Sequence, residues 1–268
     1  MADLDAAIGY VVAHGDSVDR ARLSFLRSGT TPNVEVLEKA EFGDLPDGGF
    51  PALSSSAVPS IDATCFRLSE LADLNALQRP VARAAVAWLA RCQYPEGYWQ
   101  EHESLAAVAP PWAMPGDPEA TVYQTVNAAY WLAVAAPPPP AYDQQPEYHQ
   151  QVALAGEAFK STLNQNGAWP SYLAAGWLGC AVLFHLGSYY ESAQIQVILA
   201  ERVPDMSPAD TASLAASLRR VGMNAEDWLL QSARQRLTNT QRHDGAWASD
   251  DGPAFDVHTT LTAIRAFQ

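Results

Sequence analysis

Internal repetition constrains this chain more than any single motif. Four short segments end in an aromatic residue with a glycine two positions before it: "DLPDGGF" (44–50), "QYPEGYW" (93–99), "LNQNGAW" (163–169) and "QRHDGAW" (241–247). Each follows a stretch of helical periodicity and precedes another. In "PVARAAVAWLARCQ", Val81, Ala84, Ala85, Trp88 and Cys92 recur at helical spacing before Trp99. The order repeats for "YHQQVALAGEAFKSTL" with "PSYLAAGWLGCAVLFHLG", and for "NAEDWLLQSARQRLTNT" with "DVHTTLTAIRAF". A further pair, near 191–202 and 208–220, lacks the aromatic cluster. The periodicity predicts about five helix hairpins and no convincing strand.

The two helices of each hairpin differ in character. The first carries charges such as Arg83, Glu157, Lys160, Arg234 and Arg236 on one face, whereas most second helices are nearly uncharged in mid-length. An apolar stripe needs one covered face; a helix apolar all round needs cover on every side. The expected fold is therefore all-α, with amphipathic helices in an outer ring and apolar helices in an inner one. The proline-rich run at 136–146 reads as a long connection between repeats, because the same design continues beyond it. Residues 1–268 are accordingly read as one domain.

Composition narrows the function classes. With 48% hydrophobic residues the chain can build a core, and no apolar run is long enough for a transmembrane helix. The N-terminus has no basic segment ahead of its apolar patch, and three widely spaced cysteines in apolar contexts fit buried thiols in a reducing compartment. A cytoplasmic location is expected. A net charge of −14 argues against nucleic acid or an anionic membrane as partner.

The pattern Q-x-x-(D/E/N)-G-x-W before an apolar helix resembles the QW repeat of terpenoid cyclases such as squalene–hopene cyclase. The looser DGGF form is similar to repeats in protein prenyltransferase β-subunits. Gln93, Glu96, Gly97 and Trp99 keep the whole pattern, as do Gln241, Asp244, Gly245 and Trp247; Trp169 belongs to a copy with Leu163 and Asn166 in place of Gln and the acid. Four copies in register with helix hairpins imply an α/α toroid. Physically, acid–Gly makes a tight turn, Gln can satisfy free groups at helix ends and Trp can pack between hairpins. The clusters are read as structural.

The resemblance places a substrate cavity at the inner-helix N-termini, where the cyclases carry D-x-D-D-T. The corresponding starts here are "SIDAT" with Asp62, "DPEAT" with Asp117 and Glu119, "PADTA", and "DVHTT" with Asp256 and His258. None is intact. One carboxyl held protonated by burial would donate to an alkene or epoxide. Asp256 with His258 ranks first because it couples an acid to an imidazole, and Asp117, Glu119 and Asp62 are further candidates. Capping and the helix dipole alone also favour acids at these positions. Trp112, Tyr123, Tyr172, Trp177 and Phe255 are candidate cation-stabilising rings, each worth about 0.5–2 kcal/mol if placed over a carbocation.

Windows 43–66, 96–121, 164–201, 203–218 and 243–264 contain no Lys or Arg but many acids, among them Asp44, Asp47 and Glu101. An acidic mouth without fixed cations suits a neutral polyene better than a diphosphate, which needs Arg or Lys clamps or a bridging metal. No cofactor or resident metal is expected; Mg²⁺ would enter only to bridge a diphosphate. DVHTT also resembles the D-x-x-H-T zinc segment of prenyltransferases with one residue fewer, which leaves Zn²⁺ open. The expected function is protonation-initiated cyclisation of an isoprenoid or polyene, with a hydrophobic small molecule as partner. The alternatives are dehydration or cyclisation of a non-isoprenoid natural product, a prenyltransferase-like reaction, and a non-catalytic toroid binding module. A homo-oligomer or a partner barrel could complete the fold.

Overall fold

The computed structural model describes residues 2–53, 57–136 and 145–268. Residues 137–144 of the proline-rich run lie outside them. The helices are α1 (Leu4–His14), α2 (Ser17–Ser28), α3 (Val34–Glu41), α4 (Ile61–Asp73), α5 (Pro80–Arg91) and α6 (Pro118–Ala135). They continue as α7 (His149–Thr162), α8 (Leu173–His185), α9 (Tyr189–Arg202), α10 (Pro208–Arg220), α11 (Trp228–Thr240) and α12 (Asp256–Ala266). The helix pairs expected from the sequence run α3–α4 through α11–α12, and in α5–α6, α7–α8 and α11–α12 the two helices pack against each other. Another pair, α1–α2, precedes them without an aromatic cluster to mark it. Its turn is fixed by a capping box, in which Asp16 Oδ1 accepts from the Val18 and Asp19 amides while Asp19 Oδ2 accepts from the Asp16 amide.

The sequence reading included no strand, but two short ones form. Phe50–Pro51 (β1) pairs antiparallel with Pro59–Ser60 (β2). Two residues with a proline in each strand are too few for an alternating pattern to stand out.

The chain divides into two compact units, one of Met1–Lys39 with Gln196–Gln268 and one of Ala40–Ile195. In the second unit α6 packs between α4 and α8, with α5 and α7 against it. In the first, α12 packs against α2 and α10, with α1 and α11 behind. The difference in composition between paired helices is a difference in burial. Every residue from Ala175 to Leu183 of α8 is buried, as is every residue from Gln124 to Leu132 of α6. By contrast α7 buries Val152, Ala155, Gly156 and Phe159, and α11 buries Leu229, Leu230, Ala233 and Leu237. Those spacings draw one stripe along a helix.

The aromatic clusters are joints. The Trp99 indole N–H donates to Leu89 O at 2.8 Å and the Trp247 indole to Leu237 O at 2.8 Å, so each ring is bonded to the end of its own first helix. The amides of Phe50, Trp99 and Trp247 donate to Thr64, Thr125 and Thr260 on the following second helices, at 2.9, 3.1 and 3.2 Å. Gln93 Nε2 donates to Gly97 O and across to Gln151 O, and Gln241 Nε2 donates to Gly245 O and Asp3 O. Each glutamine thus ties its turn to the first helix of another hairpin. Gly97 (φ 93°) and Gly245 (φ 88°) lie directly on the backbones of Leu154 and Ala6, where a Cβ has no room.

Candidate functional site

A cavity of about 700 Å³ lies in the Ala40–Ile195 unit. Its wall is mostly apolar, with Phe42, Phe50, Phe66, Leu105 and Val108 among the lining residues. A cavity of about 300–1,000 Å³ with few polar groups is the usual form of a small-molecule site. Helix α4 supplies its chemistry. Ser60 caps α4 through the Ala63 amide, the next residues start the helix, and Asp62, Phe66 and Arg67 then reach the cavity from its first two turns.

Asp44, Asp62 and Glu101 line this wall, and Asp62 is the one oriented by aromatic donors. The Trp112 indole N–H donates to its Oδ2 at 3.1 Å, and the Tyr123 hydroxyl bonds its Oδ1 at 3.3 Å. Asn127 Nδ2 donates to the Tyr123 oxygen at 3.3 Å, which leaves the Tyr123 proton for Asp62. Trp112 comes from the 3-10 turn Pro111–Ala113 and Tyr123 from α6, so two separate segments orient one carboxyl. Burial lifts the Asp62 carboxyl above the usual carboxylate range; the two neutral donors oppose that shift without cancelling it.

Glu101 is buried beside it. Its Oε1 accepts from Ser60 Oγ at 2.7 Å and the Asp62 amide at 2.9 Å, and its Oε2 accepts from the Ile61 amide at 3.0 Å. It therefore binds free N–H groups at the start of α4 and sets the pose of Asp62 through the backbone. Burial raises the Glu101 carboxyl as well, with Asp62 adding to the shift. The neighbouring Cys65 thiol is pushed well up by burial in front of these two acids, which keeps it protonated.

The two residues ranked first by sequence meet different arginines. Asp256 is 2% exposed and accepts from Arg242 Nη1 at 2.6 Å and the Ser249 amide at 2.8 Å. His258 Nδ1 instead meets Arg22 Nη1 at 2.9 Å. Because the guanidinium can only donate, that ring nitrogen is the acceptor. In "DPEAT", Asp117 caps α6 through the Ala120 amide at 2.8 Å, and Glu119 is exposed. Of the aromatic candidates, Trp112 and Tyr123 reach Asp62. Tyr172 meets Tyr123 edge-on, with ring centroids 6.4 Å apart. Trp177 is buried within α8, and Phe255 is exposed in the other unit.

The structure adds Phe42, Phe66, Arg67 and Glu101 to the cavity wall. Phe66 lies one helical turn after Asp62, a signal present in the sequence. Arg67 stands one residue beyond a window free of Lys and Arg, so that window did not report the whole wall. It pairs with Glu70 at 2.7 Å and lies over the Phe50 ring at 5.5 Å. No local pattern marks Glu101, which reaches α4 across 39 residues of chain. Among the described residues no group of three or more His, Cys, Asp or Glu is arranged to hold a metal, and no helix is long and apolar enough to cross a membrane.

The fold is shared with a class of solved proteins, the type II terpene cyclases. MstE from Scytonema without ligand matches at a TM-score of 0.63 and 15% identity, over 98% of this chain and 95% of that chain. A variant of MstE in complex with geranylgeranyl dihydroxybenzoate, its substrate, matches at 0.62 and 15%, over 98% and 94%. A protein from Actinoplanes matches at 0.61 and 16%, over 98% and 96%. No family model and no curated protein matches the sequence. At these identities the likeness shows the fold, an all-α, α/α-toroid fold of paired helices.

Proposed function

We propose that the chain cyclises a polyene by protonating it from Asp62. One observation carries the reading: Asp62, at the start of α4, lines the cavity with only neutral side-chain donors on its carboxyl, whereas Asp256, at the start of α12, is held by Arg242. A carboxyl desolvated without a cation beside it holds its proton more readily and can give it up to a substrate. In this reading the Trp112 and Tyr123 bonds strengthen as Asp62 becomes negative, which stabilises the product of proton transfer. A carbocation in the cavity would meet the Phe42, Phe50 and Phe66 rings that line it. The 15%-identical cyclase complex supports a prenylated substrate class for a cavity of this fold.

The test is incubation with geranylgeranyl dihydroxybenzoate, squalene and geranylgeranyl diphosphate, with product detection by mass spectrometry. Isomeric, more cyclic products are expected from a neutral terminal alkene, with the diphosphate left intact. Asp62→Asn should lower turnover by about 10²-fold or more, the scale of general acid catalysis. Full turnover by Asp62→Asn, or silence on all three compounds, would sink the reading.

A further inference from the structure

A second cavity, of about 470 Å³, shares the segment 59–62 with the first: Pro59 and Ile61 line the second, Ser60 and Asp62 the first. Helix α5 gives it Trp88 and, one turn later, Cys92. Trp88 is 7% exposed, and a Cβ on Gly49 would lie only 2.9 Å from its Cδ2 and Cε2 atoms, so the turn before β1 pins the ring. The indoles of Trp99, Trp112, Trp169 and Trp247 each donate a hydrogen bond. That of Trp88 meets no acceptor among the described residues, and its nitrogen is not sealed from solvent. Enclosed donors in folded proteins are paired, so the partner of this one has to come from the cavity that Trp88 lines. Tyr94 is held in place at the same cavity. Its ring stacks on Tyr98 with centroids 4.6 Å and planes 9° apart, and Gln100 Nε2 donates to its hydroxyl at 3.1 Å.

We propose that the second cavity is a binding site in its own right, for an uncharged aromatic molecule whose oxygen accepts from the Trp88 N–H, of which a phenol is the simplest. The volume and the mostly apolar wall, with Val58, Pro59 and Ile61 beside Tyr94, suit a ring of that size. Charge settles the rest of the class. Among the described residues no Lys or Arg lines the cavity, so an anion finds no partner there. Burial pushes the Cys92 thiol up to about 11, which keeps it neutral. A cation is poorly served as well. Trp88 presents its positive N–H edge and not its π face, and Glu101 already accepts three hydrogen bonds from the start of α4. The inference stands whether or not Asp62 protonates a substrate, because none of its contacts involves that carboxyl.

The experiment is a heteronuclear NMR titration of the isotopically labelled chain with p-cresol, followed on the assigned indole N–H resonances. The Trp88 resonance should move and saturate, with a dissociation constant on the order of 1 mM or below, which a molecule of this size can reach. Toluene has the same ring without the oxygen and should bind about tenfold more weakly, the effect of one hydrogen bond. Cys92→Phe, which fills space one turn from Trp88, should abolish the response, and Trp88→Phe should weaken p-cresol about as much as loss of the oxygen does. Circular dichroism checks the fold of both variants; if either unfolds, the comparison of p-cresol with toluene on the unaltered chain decides. A response confined to the Trp112 indole would place the phenol beside Asp62 and overturn the site, as would no saturable response from any indole. Benzoate or benzylammonium moving the Trp88 resonance at lower concentration than p-cresol would overturn the ligand class.

Discussion

At the scale of single residues, partners decide what a carboxyl can do. Asp62 and Asp256 both start second helices, yet one meets neutral donors and the other a guanidinium. Asp256→Asn should leave product formation intact and cost about 1–3 kcal/mol, read from urea unfolding, because it removes the charge of a buried carboxylate that accepts from both Arg242 and the Ser249 amide, while Arg242 keeps Asp244. Asp62→Asn should do the reverse: catalysis is lost and stability is kept. The pH dependence has a fixed sign. Folded Asp62 binds its proton more tightly than the unfolded chain does, for which the ordinary value is 3.8. As pH rises above that value the unfolded chain releases its proton first, so stability falls until the raised folded pKa is passed and then levels off. Asp62→Asn should flatten this part of the stability–pH curve, and unchanged curvature would show that the group is not perturbed. Turnover by the unaltered chain should fall over the same rise in pH, as the acid form is depleted.

At the scale of elements, the turn clusters behave as interchangeable parts. In the clusters at 93–99 and 241–247 the same three bonds recur: indole to the end of the first helix, aromatic amide to a threonine of the second, and glutamine to another hairpin. The aromatic rings were legible in the sequence because packing needs a large residue at a fixed offset from a turn glycine. The threonine acceptors and the reach of the glutamines were not, since each bond joins positions remote in sequence. The site was legible to a similar depth. Helical spacing marked where acids start the second helices, but it could not show that Arg242 reaches Asp256 or that Trp112 and Tyr123 converge on Asp62. The lone Asp62 of "SIDAT" is less conspicuous than an acid with a histidine, so composition ranked Asp256 and His258 above it. Two predictions belong here. Trp99→Ala should cost about 3–5 kcal/mol, the usual cost of emptying a buried indole site. Gly97→Ala should cost more than the roughly 1 kcal/mol expected of left-handed strain alone, because its Cβ would meet the Leu154 backbone; a ΔΔG near zero would contradict the close approach.

At the scale of the whole molecule, the joint at residues 241–247 stands apart from the others. Elsewhere a turn meets a helix that follows it in the chain: Gly48 meets Ala84, and Gly97 meets Leu154. Gly245 meets Ala6 of α1, and Gln241 exchanges two hydrogen bonds with Asp3, at 2.7 and 2.8 Å. Gln241→Ala should cost about 1–2 kcal/mol and speed amide hydrogen exchange in α1 more than in α7, since the joint that carries Gln93 is untouched. Protection of α1 that did not change would mean its contacts with α2 and α12 suffice.

The same joint sets a timetable for biosynthesis. Asp3 and Gln241 are separated by 238 positions, so α1 leaves the ribosome long before its last partner exists. At about 5–20 residues per second, the interval is roughly 10–50 s. Throughout it the face of α1 bearing Ala7 and Val11 lacks the α12 helix against which it packs in the finished protein. A nascent chain of this design presents an apolar helix face without its α12 cover throughout that interval, the kind of segment that co-translational chaperones hold.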